Sequence, residues 1–158
     1  MMRVGHGMDV HRLTEGRKLV LCGVEVPHPL GLLGHSDADV ATHALMDAML
    51  GAAALGDIGK LFPDTDERYR GADSIGLLKE VCALIRARGF ALQNADITIV
   101  AQKPKLRPYI DTMRARLAEA MNVAIDQISV KATTTECLGF EGEQLGITAH
   151  AVCLLESV

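Results

Sequence analysis

Asp9 and His11 stand two residues apart in the segment Gly7-Met8-Asp9-Val10-His11. On an extended strand both side chains leave the same face. A third polar group, His43, lies in an alanine-rich segment where Asp39, His43 and Asp47 recur every four residues. On a helix those three form one stripe, with Val40, Ala44 and Ala48 on a neighbouring stripe that can pack on a sheet. If the strand and the helix meet along these faces, one carboxylate and two imidazoles converge. That donor set, with a position left open, is the pattern of a catalytic zinc site or of a facial non-haem iron site. Asp47, one turn beyond His43, is placed to orient that imidazole. The same residues also read as a strand-end pair and an ordinary core histidine, and spacing alone leaves both readings open.

Three further clusters suit anions. Ser36-Asp37-Ala38-Asp39 has the S-x-x-D form of a capping box, which puts His35 and Ser36 at a helix N-terminus, where backbone N–H groups attract phosphate. Lys103, Lys105 and Arg107 place three cations in five residues, a density that suits a diphosphate or, equally, a solvated turn. Thr133, Thr134 and Thr135 followed by Glu136 offer three hydroxyls and one hard oxygen ligand for Mg²⁺, on what also reads as a plain strand end. No P-loop, dinucleotide fingerprint or G-x-S-x-G elbow is present.

The elements that must position these groups follow from periodicity and turn chemistry. Strands are expected over residues 3–11, 95–101, 128–134 and 147–155, with a small hairpin of 19–22 and 24–27 about Gly23. Residues 31–34 read as a loop, and a first helix runs from the capping box to about Ala54, where Gly56 and Gly59 stop it. Residues 57–72 read as a long loop without helical or strand period, a length that marks functional segments. Asp73 and Ser74 cap a second helix ending at Gly89. Pro104 and Pro108 bracket a turn before a third helix, whose buried face is Ile110, Met113, Leu117 and Met121. The fold class is α/β (α+β): a mixed β-sheet covered on one side by helices, with residues 1–158 as a single domain.

Composition narrows the function. The chain has 158 residues, 49% hydrophobic and 23% charged, an ordinary globular mixture. Three Phe, two Tyr and no Trp imply an aliphatic core and argue against base-stacking platforms. Sixteen Lys+Arg against twenty Asp+Glu give a net charge of −4, so no nucleic acid partner is expected. No apolar run approaches the ~20 residues of a membrane span, and Met1-Met2-Arg3-Val4 is neither a signal core nor a transit segment, so a cytoplasmic location is expected. Cys22, Cys82, Cys137 and Cys153 follow no metal-finger spacing and read as reduced thiols in or near the core.

Taken together, GHGMDVH at 5–11, GHSDADVATHALMDAMLGAAALGDIGKLFPDTD at 34–66, ITIVAQKPKL at 97–106 and VKATTTECLGFEG at 130–142 resemble the 2-C-methyl-D-erythritol 2,4-cyclodiphosphate synthases of the non-mevalonate isoprenoid pathway. The resemblance implies a bacterial homotrimer with its sheets facing the trimer axis and active sites between subunits. It implies that Asp9, His11 and His43 hold Zn²⁺ and that the substrate is 4-diphosphocytidyl-2-C-methyl-D-erythritol 2-phosphate. His35 and Ser36 would meet the phosphorylated end, Asp57, Ile58 and Gly59 the sugar hydroxyls, and Phe62, Pro63, Asp64, Thr65 and Asp66 the adjoining wall, with Asp9, Val10 and His11 also in the substrate-binding set. The neighbouring subunit would offer Ala101, Gln102, Lys103, Pro104, Lys105, Leu106 and Arg107 to the cytidine diphosphate. It would also offer Thr133, Thr134, Thr135 and Glu136, with Phe140 completing the substrate-binding set. Glu136 would hold Mg²⁺ or Mn²⁺ bridging the diphosphate, and His35 and Thr134 would steady the transition state.

Two rival readings accompany this one: a zinc phosphodiesterase that releases a linear product, and a non-catalytic trimeric module that binds metal or nucleotide. The chain also departs from the family pattern at Glu143, which stands where the family often has an arginine facing the trimer axis. Weak or no binding of isoprenoid diphosphates on that axis is therefore expected.

Overall fold

The computed structural model describes residues 1–158. The first strand, β1 (Met2–Thr14), alternates cleanly: Gly5, Gly7 and Leu13 are buried, whereas Met2, Val4, His6, Met8 and Val10 are exposed. It runs longer than the expected 3–11. A separate hairpin follows, β2 (Leu19–Leu21) with β3 (Val24–Val26), turning at Cys22 and Gly23, which both have positive φ. The short β4 (Gly31–Leu32) returns to pair with the end of β1, so the expected loop at 31–34 begins as an edge strand. After helices α1 (Val40–Ala52), α2 (Ile58–Leu61) and α3 (Ser74–Ala87) come β5 (Phe90–Val100), α4 (Ile110–Met121), β6 (Ile128–Thr133), α5 (Gly139–Gly142) and β7 (Gly146–Ser157). The stretch expected as a long loop, 57–72, holds the one-turn α2 and a 3-10 turn at Glu67–Tyr69.

The sheet order is β4-β1-β7-β5-β6; β5 and β6 run parallel and every other pairing is antiparallel. This is the mixed sheet the pattern called for. β7 is buried at Ile147, Ala149, Ala151, Cys153 and Leu155, and β5 at Ala95, Ile97 and Ile99, all on the face that α1, α3 and α4 cover. The core is aliphatic, as the scarcity of aromatics required: Leu45, Met46, Met49, Leu50, Leu78, Ile85, Ile97 and Ile99 are fully buried. Three of the four cysteines are buried in it; Cys137 is exposed, contrary to expectation, on the loop after β6.

Helix α1 lies directly on β1, and the two buried glycines make this possible. A Cβ on Gly5 would sit 1.8 Å from the Ala48 carbonyl oxygen, and one on Gly7 would sit 2.0 Å from that of Ala44. Ala44 and Ala48 are the small-residue stripe read from the sequence. The result is backbone-on-backbone packing that brings His43, on the same helix, over the row holding Asp9 and His11.

The start of α1 corrects the capping-box reading. The helix begins at Val40 and its cap is Asp39, not Ser36. Asp39 is fully buried and accepts four hydrogen bonds, from the backbone N–H groups of Thr42, Cys22 and Gly23 and from the Thr42 hydroxyl. Its carboxylate closes the helix N-terminus, so His35 and Ser36 do not flank free N–H groups.

Candidate metal centre

Asp9 Oδ2 lies 3.0 Å from both His11 Nε2 and His43 Nδ1, and the two nitrogens are 3.3 Å apart. The tautomers of the two rings follow from what stands behind them. His11 Nδ1 is 2.8 Å from the Leu33 carbonyl oxygen, which can only accept, so Nδ1 carries the proton and Nε2 presents a lone pair. Behind His43, the Ser74 hydroxyl donates to Asp37, whose carboxylate also takes the backbone N–H of Ser74. With its hydrogen committed, Ser74 Oγ accepts from His43 Nε2 at 2.9 Å, and His43 Nδ1 is left with a lone pair. Three lone-pair donors therefore point at one another. Only a cation or a shared proton satisfies that arrangement, and a carboxylate with two imidazoles suits a divalent transition metal.

Without a metal, proton sharing fills this role. Burial alone would raise the Asp9 carboxyl, but hydrogen bonds and charge from His11 and His43 overcome it and hold Asp9 well below the usual carboxylate range. Burial would likewise lower His11, and contact with Asp9 reverses the direction and raises it above its ordinary 6.5.

A cavity of about 410 Å³ opens at this centre. Of the sequence candidates it gathers Asp9, His11, His35, Ser36, His43, Ile58, Gly59, Phe62, Pro63 and Asp64, and it adds Gly34, Tyr69 and Leu77. Asp57, Thr65 and Asp66 do not line it. Asp57 caps α2 by accepting from the Lys60 N–H, and the Asp66 carboxylate is engaged by Arg68 while its carbonyl oxygen lies 3.0 Å from His35 Nε2. The loop carrying His35 and Ser36 is fastened by Arg17, whose guanidinium donates to the carbonyls of Leu32, Gly34 and Ser36.

A second cavity, about 700 Å³, lies at the β6 edge against α4. Ala101, Gln102, Pro104, Lys105, Leu106, Arg107, Thr133 and Thr134 line it, joined by Lys131; Lys103, Thr135 and Glu136 do not. A third, about 220 Å³, is on the open face of the sheet and includes Val10 and Phe140. Val10 follows the alternation of β1 and turns away from Asp9 and His11. One chain thus spreads most of the candidate residues over three cavities, with His11 shared between the first and the third.

The expected role of Asp47 is not what the structure shows. Its carboxylate accepts from the Ile58 N–H and ties α2 to α1, and the second nitrogen of His43 belongs to Ser74 and, at 3.2 Å, to Ser36. Ser74 and Asp37 were legible only as helix caps. No local spacing announces that Ser74 turns its hydroxyl toward a ring 31 residues earlier. Arg17, next to Lys18 in a turn, carried no signal of its fastening role.

Residues 2–156 match the YgbB family. The chain belongs to that family. It is 63% identical over 155 residues to the 2-C-methyl-D-erythritol 2,4-cyclodiphosphate synthase of Geobacter metallireducens, covering 98% of this chain and 99% of the relative. Its fold superposes with a TM-score of 0.89, at 45% identity, on a CDP-bound form of a 2C-methyl-D-erythritol-2,4-cyclodiphosphate synthase, covering 98% of this chain and all of the other. It also matches the bifunctional IspDF of Campylobacter jejuni with a TM-score of 0.97 and 44% identity, spanning all of this chain and 43% of that one. Family membership agrees with an Asp9–His11–His43 metal site. No helix is long and apolar enough to cross a membrane.

Proposed function

We propose that this chain closes the cyclic diphosphate in a site completed by a second copy of itself, with Asp9, His11 and His43 as the ligands of a zinc ion. The reaction is that of its relatives, 2-C-methyl-D-erythritol 2,4-cyclodiphosphate synthesis in the non-mevalonate isoprenoid pathway, a lyase step. The likeness to a CDP-bound synthase supports a CDP-linked substrate. The observation that carries the reading is the set of three lone pairs converging beside the His35–Ser36 cavity.

An oxygen of the substrate's 2-phosphate forms a bond to the β-phosphorus while the bridge from that phosphorus to the α-phosphate breaks, and CMP leaves with the bridging oxygen. The nucleophile is an anion near neutral pH, so no strong side-chain base is required. The barrier lies in holding two phosphates together, and fixing them within one site is worth about 7–11 kcal/mol in well-oriented cases. A bound divalent ion would supply charge neutralisation to the 2-phosphate. His35 and Ser36 orient that phosphate, while Ile58, Gly59 and Phe62 wall off the sugar. From the neighbouring copy, Lys105, Arg107, Thr133 and Thr134 hold the diphosphate, Glu136 would hold a Mg²⁺ or Mn²⁺ ion that neutralises its charge, and Thr134 donates to the oxygens on which charge develops.

Two features support a homotrimer with its sheets toward the axis. The metal cavity and the Lys105–Arg107 cavity sit at opposite edges of one sheet, so a neighbour is needed to bring them together. The open face of the sheet carries exposed Val4, Met8, Val10 and Val152, an apolar surface suited to burial between copies.

CMP release from the diphosphocytidyl substrate tests the reading, with and without chelator and beside His43→Ala. Phosphorus NMR of the product separates a cyclic diphosphate from the linear product of a phosphodiesterase. Mixed oligomers of His43→Ala and Thr134→Ala should regain part of the activity each lacks alone; no recovery would mean that the site lies within one chain.

A further inference from the structure

His6 and His150 play no part in the site above. They project from adjacent strands on the open face of the sheet: His6 lies opposite Val152 and Met8 opposite His150, which makes the two imidazoles diagonal neighbours. His6 Nε2 is 3.3 Å from His150 Nδ1, with ring centroids 5.5 Å apart and ring planes 30° apart. As a hydrogen bond that spacing is long. It fits another arrangement better, because two nitrogens held at the usual zinc–nitrogen distance around a tetrahedral ion stand about 3.3 Å apart. The same 3.3 Å separates His11 Nε2 from His43 Nδ1 in the Asp9 centre.

The surroundings neither compete for the pair nor repel an ion. Their cross-strand partners on this face, Val152, Met8 and Thr98, carry no charge. Asp96, the diagonal neighbour of His150 on β5, carries a charge but is paired with Lys131 at 2.6 Å. Both rings are exposed on the single chain and face the space between copies in the proposed oligomer, so an ion reaches them without any rearrangement of the core.

We propose that His6 and His150 form a second, two-imidazole site for a divalent transition ion of the zinc, nickel or copper class. Imidazole pairs select these ions over Mg²⁺ and Ca²⁺, which take oxygen ligands. One copy of the chain is enough, with water filling the remaining positions. Where several open faces turn toward a common axis, the facing pairs supply further imidazoles to the same ion.

Full-length chain stripped with chelator is titrated with Ni²⁺ alone by calorimetry, as wild type, His43→Ala and His43→Ala/His150→Gln. His43→Ala disables the Asp9 centre and should still bind Ni²⁺. The double variant should lose that binding while circular dichroism and oligomeric state stay those of His43→Ala. Cu²⁺-loaded His43→Ala should show imidazole nitrogen splitting in its EPR spectrum, absent from the double variant. His43→Ala/His6→Gln serves as a second variant should the first fold poorly. The proposal is overturned if His43→Ala binds no Ni²⁺, or if a folded double variant binds it as His43→Ala does. Neither result bears on cyclisation, which is read separately by CMP release.

Discussion

The Ser74 hydroxyl bridges the Asp37 carboxylate and Nε2 of His43, and so settles which nitrogen of that ring faces Asp9. Ser74→Ala removes the bridge and leaves the ring free to change tautomer and to swing. Loss of such a supporting partner costs about 10–100-fold in metal affinity. Competition against a chromogenic chelator should show that loss, with secondary structure by circular dichroism unchanged. An affinity equal to wild type would mean that Ser36 alone is enough to orient the ring.

Protonation of the metal-free centre gives a pH dependence whose sign is fixed. His11 is raised above 6.5 by Asp9, so its contribution to stability is complete below that value and fades as pH climbs through the raised one. Asp9 is depressed, so its contribution is present above 3.8 and disappears only as pH falls through its lowered value. Chelator-treated protein should therefore lose stability as pH rises above 6.5, by at most about 1 kcal/mol for partly exposed groups. His11→Gln should flatten this part of the denaturant-unfolding profile. Metal affinity should move the other way and rise with pH, because binding displaces the shared proton.

Asp39 predicts a large effect away from the chemistry. Four donors converge on a carboxylate with no exposed surface. Asp39→Ala leaves the buried backbone N–H groups of Cys22 and Thr42 without partners, each costing about 1–3 kcal/mol, and frees the half-buried one of Gly23. Urea titration should show a loss of at least about 3 kcal/mol, near the upper end for single substitutions. Asp39→Asn should recover only part of it, since its amide NH₂ would face donors. Stability within about 1 kcal/mol of wild type would mean that the hairpin turn and the helix start relax independently.

Gly5→Ala tests the contact between α1 and β1. Its Cβ would overlap the Ala48 carbonyl oxygen, a backbone atom that cannot rotate away. A destabilisation of about 3 kcal/mol or more is expected, at the upper end for overpacking. Gly51→Ala is the control, on the same helix with nothing near its Cβ, and should be neutral or slightly stabilising in the same thermal melt.

The extent to which this was legible in the sequence differs between strands and loops. Alternation in β1 marked Asp9 and His11 as same-face neighbours, and the alanine stripe of α1 identified the surface that meets the sheet. Both signals are local, and both survive folding. Ser36 shows where local signals mislead: its S-x-x-D spacing is a genuine capping pattern, but Asp39 outcompetes it because that carboxylate also satisfies the Cys22 and Gly23 turn 16 residues and more away. The placement of Ser74, Arg17 and Asp47 likewise depends on partners distant in the chain. Periodicity reports which way a side chain points, never what it will meet.

The bare backbone at Gly5 and Gly7 has a consequence for anyone seeking to transplant the ion-binding trio to another scaffold. Donor identities and their spacing along strand and helix would not be enough. A host strand with ordinary side chains at those two positions would prop the helix up by at least a methyl group's width, and its histidine would stop short of the other two. The depth to which one element sinks into another is as much a part of the recipe as the ligands themselves.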